Sequence, residues 1–142
     1  MDVLLVEDEP LVRAAAADAL RDAGLVVAEA ASAEQALAMG SAAEEPPAVV
    51  VADLRLGPGM DGLALGVEVR RRWPGVGVVY ATGYPDDLGG RPLGPRERYL
   101  VKPVAPGALL GAVRRLMPMG ALAWTFLHRA RRTSGAEHAD RS

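Results

Sequence analysis

Five polar side chains in this sequence could together handle a phosphoryl group. Glu7 and Asp8 follow a short apolar run, and Asp53 follows another. If folding brings these carboxylates together, they repel one another unless a cation binds or a proton is taken up. Magnesium prefers such oxygen ligands and is usually held by one or two carboxylates plus phosphate oxygens. An aspartate beside it can act as a nucleophile toward phosphorus.

Thr82 and Lys102 complete the set because they offer a hydroxyl donor and a fixed cation. Phosphoryl transfer develops charge on the equatorial oxygens, which such groups can bind. Taken singly, each residue has a simpler explanation: acidic residues favour helix N-termini, and aspartate is common in turns. Their joint occurrence at the ends of apolar runs favours the chemical interpretation.

Apolar runs alternate with helical patterns along the chain. Unbroken apolar runs, typical of parallel strands buried on both faces, lie at residues 3–6, 25–28, 48–52, 76–81 and 99–101. Spacing and capping residues predict helices from Pro10 to a cap at Gly24, from Ser32 through Met39, from about Asp61 to Trp73, and from Pro106 to Leu116. The alternation predicts an α/β, doubly wound, five-stranded parallel sheet. Given the flavodoxin-like order 2-1-3-4-5, one crevice would collect Asp8, Asp53, Thr82 and Lys102.

Composition limits the classes of protein that this chain can represent. Its 142 residues fit one domain, which we place at residues 1–117, and the tail 118–142 is too short for an output domain. The absence of cysteine excludes thiolate metal sites, and two histidines, His128 and His138, make a zinc site a poor candidate. A net charge of −2 gives no reason to expect nucleic acid as a partner. Without an apolar stretch of about 20 residues, we expect a soluble, cytoplasmic protein and no membrane partner.

The motifs together resemble the receiver domain of two-component response regulators, in a single-domain, chemotaxis-regulator-like form. They are Leu5-Val6-Glu7-Asp8-Glu9, Val50-Val51-Ala52-Asp53-Leu54, Met60-Asp61-Gly62, Ala81-Thr82-Gly83 and Tyr99-Leu100-Val101-Lys102-Pro103. The resemblance runs from Met1 to about Met117. It implies that Asp53 is the phosphoacceptor and that Mg²⁺ is bound by Asp53, by Asp8 directly, by Glu7 as its outer partner, and by the backbone carbonyl of Arg55.

The resemblance also implies a switch and a set of partners. Thr82 would bond the phosphoryl oxygen, Tyr99 would follow it as the switch aromatic, and Lys102 would pair with the phosphoryl group beside a cis bond to Pro103. The phosphoryl donor would be a sensor histidine kinase or a histidine phosphotransfer protein. The output would be protein–protein interaction with a downstream target or in a homodimer. Catalysis would be limited to the protein's own phosphotransfer and autodephosphorylation.

Two segments depart from the common receiver pattern. The loop from Asp53 to Asp61 is one residue longer than the commonest form. Residues 83–97 are rich in Gly and Pro, which cost about 1 and about 3 kcal/mol each inside a helix, so no regular fourth helix is expected there. The string Tyr80-Ala81-Thr82-Gly83-Tyr84 is partly similar to the stand-alone receivers called the FAT GUY family, without the proline and first phenylalanine of their motif.

Two other functions and the role of the tail stay open at this point. The fold could serve as a phosphorylation-independent interaction module, or as an aspartate-nucleophile phosphohydrolase, although a second catalytic acid and a lid are not visible. In the tail, an apolar cluster precedes a basic run: Leu122, Trp124, Phe126 and Leu127, then Arg129, Arg131 and Arg132. The cluster could join a dimer or dock on a kinase, and we expect it to pack on the domain.

Overall fold

The computed structural model describes residues 1–118, in which strands alternate with helices. The strands are β1 (Val3–Val6), β2 (Val27–Ala30), β3 (Val49–Asp53), β4 (Gly77–Thr82) and β5 (Glu97–Val101). The α-helices are α1 (Pro10–Asp22), α2 (Ala33–Ala42), α3 (Gly62–Arg72) and α4 (Pro106–Leu116), and a 3₁₀ helix spans Pro85–Leu88. Apart from Pro118, the predicted tail lies outside the described residues.

All five strands are parallel and pair in the order β2-β1-β3-β4-β5. This confirms the predicted fold. In the register, Val6 lies beside Ala52, Asp53 beside Ala81, and Thr82 beside Val101. The carboxyl ends of these four strands therefore share one edge of the sheet, where parallel α/β proteins bind ligands.

The sheet is covered on both faces, which explains its apolar strands. On one face, Leu4, Val50 and Val78 pack with Leu65 of α3 and with α2. On the other face, the alternate strand residues pack with α1 and α4 in a cluster that includes Val3, Val51, Leu20 and Val113. In β1 and β3 the residues of both faces are almost fully buried, so polar residues at alternate positions of these strands would cost free energy.

Side-chain caps fix the starts of three helices. Glu9 Oε1 accepts a hydrogen bond from the Leu11 N–H at 3.1 Å, and Pro10 occupies the first turn of α1. The predicted cap of α2 is confirmed, since Ser32 Oγ accepts from the Gln35 N–H at 3.0 Å. Asp61 Oδ1 accepts from the Ala64 N–H at 2.8 Å at the start of α3. Each cap supplies an acceptor for one orphan N–H group of the first turn.

The second strand begins two residues later than predicted. Gly24 adopts φ +93°, the left-handed cap that the sequence predicts after α1. The Leu25 N–H then bonds to the Leu20 carbonyl at 3.2 Å, so Leu25 finishes the helix instead of starting the strand. Helix α2 also continues past Met39 to Ala42, and residues 83–97 contain a single turn of 3₁₀ helix, in line with their Gly and Pro content.

No helix among residues 1–118 has both the length and the apolar character needed to cross a membrane.

Candidate functional site

Three carboxylates meet at the carboxyl edge of the sheet. Each of Glu7, Asp8 and Asp53 places one oxygen within 4.8 Å of the others. Glu7 and Asp53 are nearly buried, at 5% and 9% exposure, whereas Asp8 is exposed. Asp53 ends β3, and Glu7 and Asp8 directly follow β1, so the strand order itself produces the cluster.

Lys102 neutralises part of this charge from the end of β5. Its Nζ donates to Asp53 Oδ2 at 2.8 Å and to Glu7 Oε1 at 3.1 Å. The backbone N–H of Lys102 donates to the Thr82 carbonyl at 2.8 Å, which ties the turn after β5 to β4. The Lys102–Pro103 peptide bond is cis, as the resemblance implies.

The pKa values of Glu7 and Lys102 are both raised, which favours the neutral form of the acid and the charged form of the lysine. Burial raises the pKa of Glu7, and the hydrogen bonds from the Glu9 N–H and from Lys102 only partly offset it. Burial by itself lowers the pKa of Lys102, but its hydrogen bonds to Asp53 and Glu7 outweigh burial and raise that pKa. Lys102 therefore stays a cation across the physiological range.

Backbone and hydroxyl groups surround Asp53. Its second oxygen, Oδ1, accepts from the Arg55 N–H at 3.0 Å. Thr82 is buried one residue beyond Ala81, the register partner of Asp53, and its Oγ1 accepts from the Tyr84 N–H at 2.9 Å. A hydroxyl that accepts one bond still has its own proton to donate.

Two predicted site residues lie outside this cluster. Tyr99 is 45% exposed on β5 and borders a separate surface cavity with residues of the 3₁₀ helix. Arg55 contributes its N–H to Asp53, while its side chain points to the 3₁₀ helix. The metal-ligand role of its carbonyl remains a prediction.

An ion pair that the sequence does not reveal borders the site. The Arg55 guanidinium donates to Asp87 at 2.6 and 3.1 Å and lies 3.8 Å from the centre of the Tyr84 ring. Pairing with Arg55 lowers the pKa of Asp87. Because Asp87 lies 32 residues from Arg55 in an irregular segment, no local pattern indicates the contact. It joins the β3–α3 loop to the 3₁₀ helix.

A buried carboxylate at the start of β5 was also missed. Glu97 is 2% exposed, accepts from the Tyr80 hydroxyl at 2.8 Å and from the Gly94 N–H at 2.9 Å, and pairs with Arg70 and Arg91 at 3.2 Å. Burial alone would raise its pKa, but these partners lower it. We name this group of four side chains the Glu97 knot. It fixes the distal end of segment 83–97 to α3 and β4.

Two glycines allow the loop after Asp53 to close on the site. A Cβ on Gly62 would collide with the Asp53 carbonyl oxygen, and one on Gly57 would lie 3.2 Å from Asp8 Oδ2. The sequence places Gly57 in a loop and Gly62 at the start of a predicted helix, but it gives no sign of these contacts. Close backbone approach is a common reason for glycine at a ligand site.

The donor set fits a hard divalent cation. All three clustered side chains offer carboxylate oxygens, and one lysine leaves them with net negative charge. Partial burial strengthens their repulsion, and the exposed Asp8 leaves an approach from solvent. Oxygen ligands at one solvent-accessible point are what Mg²⁺ prefers.

Comparison with known proteins assigns the family. The family model described as response regulator receiver domain matches residues 3–114. The chain belongs to this family. Receivers are signalling modules of two-component systems, and this receiver has the fold of that family along its described residues.

The regions that this receiver matches in its relatives belong to longer proteins. It is 34% identical over 117 residues to the sensor kinase CckA of Brucella abortus, covering 81% of this chain and 12% of CckA. It is 36% identical over 121 residues to the transcriptional regulatory protein AruR of Pseudomonas aeruginosa, covering 81% of this chain and 48% of AruR. The chain thus spans half or less of either relative.

A solved structure with similar architecture contains ligands. The response regulator TrrA of Thermotoga maritima, in complex with Mg²⁺ and a beryllium fluoride, is 25% identical with a TM-score of 0.68. The match covers 81% of this chain and 97% of TrrA.

Proposed function

We propose that this receiver accepts a phosphoryl group on Asp53 from a histidine kinase or a histidine phosphotransfer protein. One observation carries the proposal: Lys102 and the Arg55 N–H orient the Asp53 carboxylate beside two further acidic residues. In the transfer, the bond from phosphorus to the donor histidine nitrogen breaks and a bond to an Asp53 oxygen forms. The electron pair of the broken bond remains on the imidazole.

Mg²⁺ is the cofactor that this acidic site would hold. Asp8 and Asp53 would bind it directly, Glu7 would act as the outer partner, and the Arg55 carbonyl would be a further ligand. When bound, the ion supplies neutralisation of charge on the phosphoryl oxygens. The cluster of oxygens at one partly buried point supports this assignment.

The remaining residues position and sense the phosphoryl group. Lys102 already bonds Asp53 Oδ2 and can transfer its hydrogen bond to a phosphoryl oxygen. Thr82 can donate its free hydroxyl proton to another oxygen. Movement of Thr82 would displace Tyr84, because the Tyr84 N–H donates a hydrogen bond to Thr82 Oγ1. Tyr99 would reorient as the switch aromatic.

Signalling would proceed through protein contacts in the cytoplasm. We assign residues 1–117 to the receiver and 118–142 to a tail, and the receiver would act on a downstream protein or as a homodimer. Nucleic acid and membrane are not among the proposed partners. Its catalysis would be confined to its own phosphorylation and dephosphorylation.

Intact-mass spectrometry tests the proposal. The wild type, Asp53→Ala and a control, Asp18→Ala on the exposed face of α1, are incubated with Mg²⁺ and a small acyl-phosphate donor. We expect one phosphoryl addition in the wild type and in the control, none in Asp53→Ala, and none after chelation. A folded wild type that is labelled by neither this donor nor a histidine phosphotransfer protein would favour the phosphorylation-independent interaction module.

A further inference from the structure

An apolar groove runs along α1 and opens at one end onto the acidic site. It encloses about 630 Å³ between α1 and the segment that leads into α4. Its walls include Leu11, Val12 and Ala15 on one side and Val104, Pro106 and Leu109 on the other. Leu11 is 80% exposed and Val12 is 44% exposed. Adjacent exposed apolar side chains in a concave surface favour an apolar occupant.

The charge of the groove is uneven. Glu7, Asp53 and Lys102 line its end at the carboxyl edge of the sheet, and Asp8 and Glu9 lie exposed in the neighbouring loop. Four carboxylates against one lysine make this end acidic. The rest of the lining is apolar, so a complementary ligand has an apolar stretch with a basic group at one end.

We propose that residues 122–132 of this same chain occupy the groove. Leu122, Trp124, Phe126 and Leu127 supply the apolar stretch, and Arg129, Arg131 and Arg132 follow as the basic end. The order of the two parts matches the groove if the tail runs toward the carboxyl edge. The apolar residues then fill the groove first and the arginines reach the acidic end.

The direction of α4 delivers the tail in that order. Pro106 lines the groove near the site, whereas Leu116 packs against Gly77 at the opposite edge of the sheet. From Met117 back to the level of Leu109 is about 12 Å at the rise of an α-helix. Residues 118–121 span about 13 Å when extended, so Leu122 can meet the lower end of the groove.

Docking there would cover one side of Asp53, because Asp53 itself lines the groove. The position of the tail does not depend on phosphoryl chemistry. Its test can therefore succeed or fail independently of the proposed function.

The absence of cysteine allows a direct test by disulfide cross-linking in the full chain. Ala15→Cys, on the exposed groove wall, is combined with Thr125→Cys, which lies between Trp124 and Phe126 and leaves the apolar residues in place. The matched control pairs Thr125→Cys with Ala64→Cys, an exposed alanine of α3 on the other face of the sheet. In dilute solution, we expect the groove pair to form an intramolecular disulfide at least ten-fold faster.

Equal rates in the two pairs would overturn the proposal, and so would a disulfide between two chains, which would identify a second copy as the occupant. A third variant adds Leu11→Glu to the groove pair. Since Leu11 is largely exposed, the fold tolerates the change, which circular dichroism checks. We expect the cross-linking rate to fall to that of the control, and an unchanged rate would contradict docking in this groove.

Discussion

Lys102 is the one cation among residues 1–118 that bonds the acidic cluster, and it faces three carboxylates. Part of the mutual repulsion therefore remains. Removing one carboxylate relieves the repulsion, whereas adding a divalent cation neutralises it. The two changes should stabilise the fold, but through separate effects that can be measured apart.

We predict that Mg²⁺ stabilises the wild type and stabilises Asp8→Asn much less. At 100 times its dissociation constant, a ligand adds about 2.7 kcal/mol to the free energy of unfolding. Without Mg²⁺, Asp8→Asn should be as stable as the wild type or about 1 kcal/mol more stable, because a like charge is gone. Denaturant unfolding with and without Mg²⁺ measures both effects. Asp18→Asn is the control, and equal gains from Mg²⁺ in wild type and Asp8→Asn would contradict a ligand role for Asp8.

The raised pKa of Tyr80 predicts a loss of stability at alkaline pH. Burial, and then the hydrogen bond to Glu97, raise the pKa of Tyr80 to about 12, above its ordinary value of 10.0. The folded state thus favours the protonated hydroxyl, so this stabilisation is complete below pH 10 and is lost as the pH rises toward 12. The shift corresponds to about 2 to 3 kcal/mol.

Tyr80→Phe tests this pH dependence by urea unfolding between pH 8 and 11. The variant should be about 1 kcal/mol less stable at neutral pH, since Glu97 loses a donor, and its stability should fall less steeply with rising pH. Tyr99→Phe, on a half-exposed ring, should keep the wild-type slope. A Tyr80→Phe profile parallel to that of the wild type would show that the pKa of Tyr80 does not differ between the folded and unfolded states.

Helices α3 and α4 each contain an interior glycine, with opposite requirements. A Cβ on Gly66 would overlap the Tyr80 hydroxyl and come within 2.7 Å of its Cζ, whereas a Cβ on Gly111 would meet no atom of residues 1–118 within 4 Å. We predict that Gly66→Ala lowers the free energy of unfolding by about 1 to 3 kcal/mol through overpacking. Gly111→Ala should raise it by about 0.5 to 1 kcal/mol. Thermal or chemical unfolding of the two variants measures both changes. Changes of the same sign in the free energy of unfolding would contradict this packing.

The Arg55–Asp87 pair joins two loops across the mouth of the site, and this contact predicts an effect on the phosphoryl lifetime. We expect Arg55, stacked on Tyr84, to limit the access of water to Asp53, so Arg55→Ala and Tyr84→Ala should each lose the phosphoryl group several-fold faster. The decay of phosphorylated protein after removal of the donor gives the rate. Arg71→Ala, an exposed residue of α3, serves as control. Unchanged decay in Tyr84→Ala would count against shielding by that ring.

The elements whose bounds the sequence predicts well are those in which burial leaves a regular apolar pattern. Residues 3–6 and 106–116 match their observed bounds because burial leaves an unbroken apolar run in one and a clear helical period in the other. Leu25 misled the prediction, since it is apolar yet its N–H bonds back to the end of α1. Glu97 and Asp87 could not be found in this way, because a charged residue usually indicates solvent and their partners are distant in sequence.

Across the whole molecule, the proposed phosphorylation of Asp53 should change the surface formed by residues 83–97. Thr82 would move toward the phosphoryl group and weaken the hydrogen bond that its Oγ1 accepts from the Tyr84 N–H. We predict altered hydrogen exchange in this segment when Mg²⁺ and beryllium fluoride, a phosphoryl mimic, are added. The same additions to Asp53→Ala provide the control. Equal exchange in the wild type with and without the mimic would refute the coupling.

The Glu97 knot holds one end of segment 83–97 more firmly than the Arg55–Asp87 pair holds the region of the 3₁₀ helix. At the Glu97 end, buried Glu97 and Tyr80 bond each other and Glu97 pairs with Arg70 and Arg91, so this end resists displacement. The other attachment is the exposed ion pair of Arg55 and Asp87, and an exposed ion pair contributes little to stability. We therefore expect any displacement on phosphorylation to be largest near the 3₁₀ helix and smallest near β5. A partner that distinguishes the two states of the molecule would bind at Pro85–Leu88, beside the ring of Tyr99.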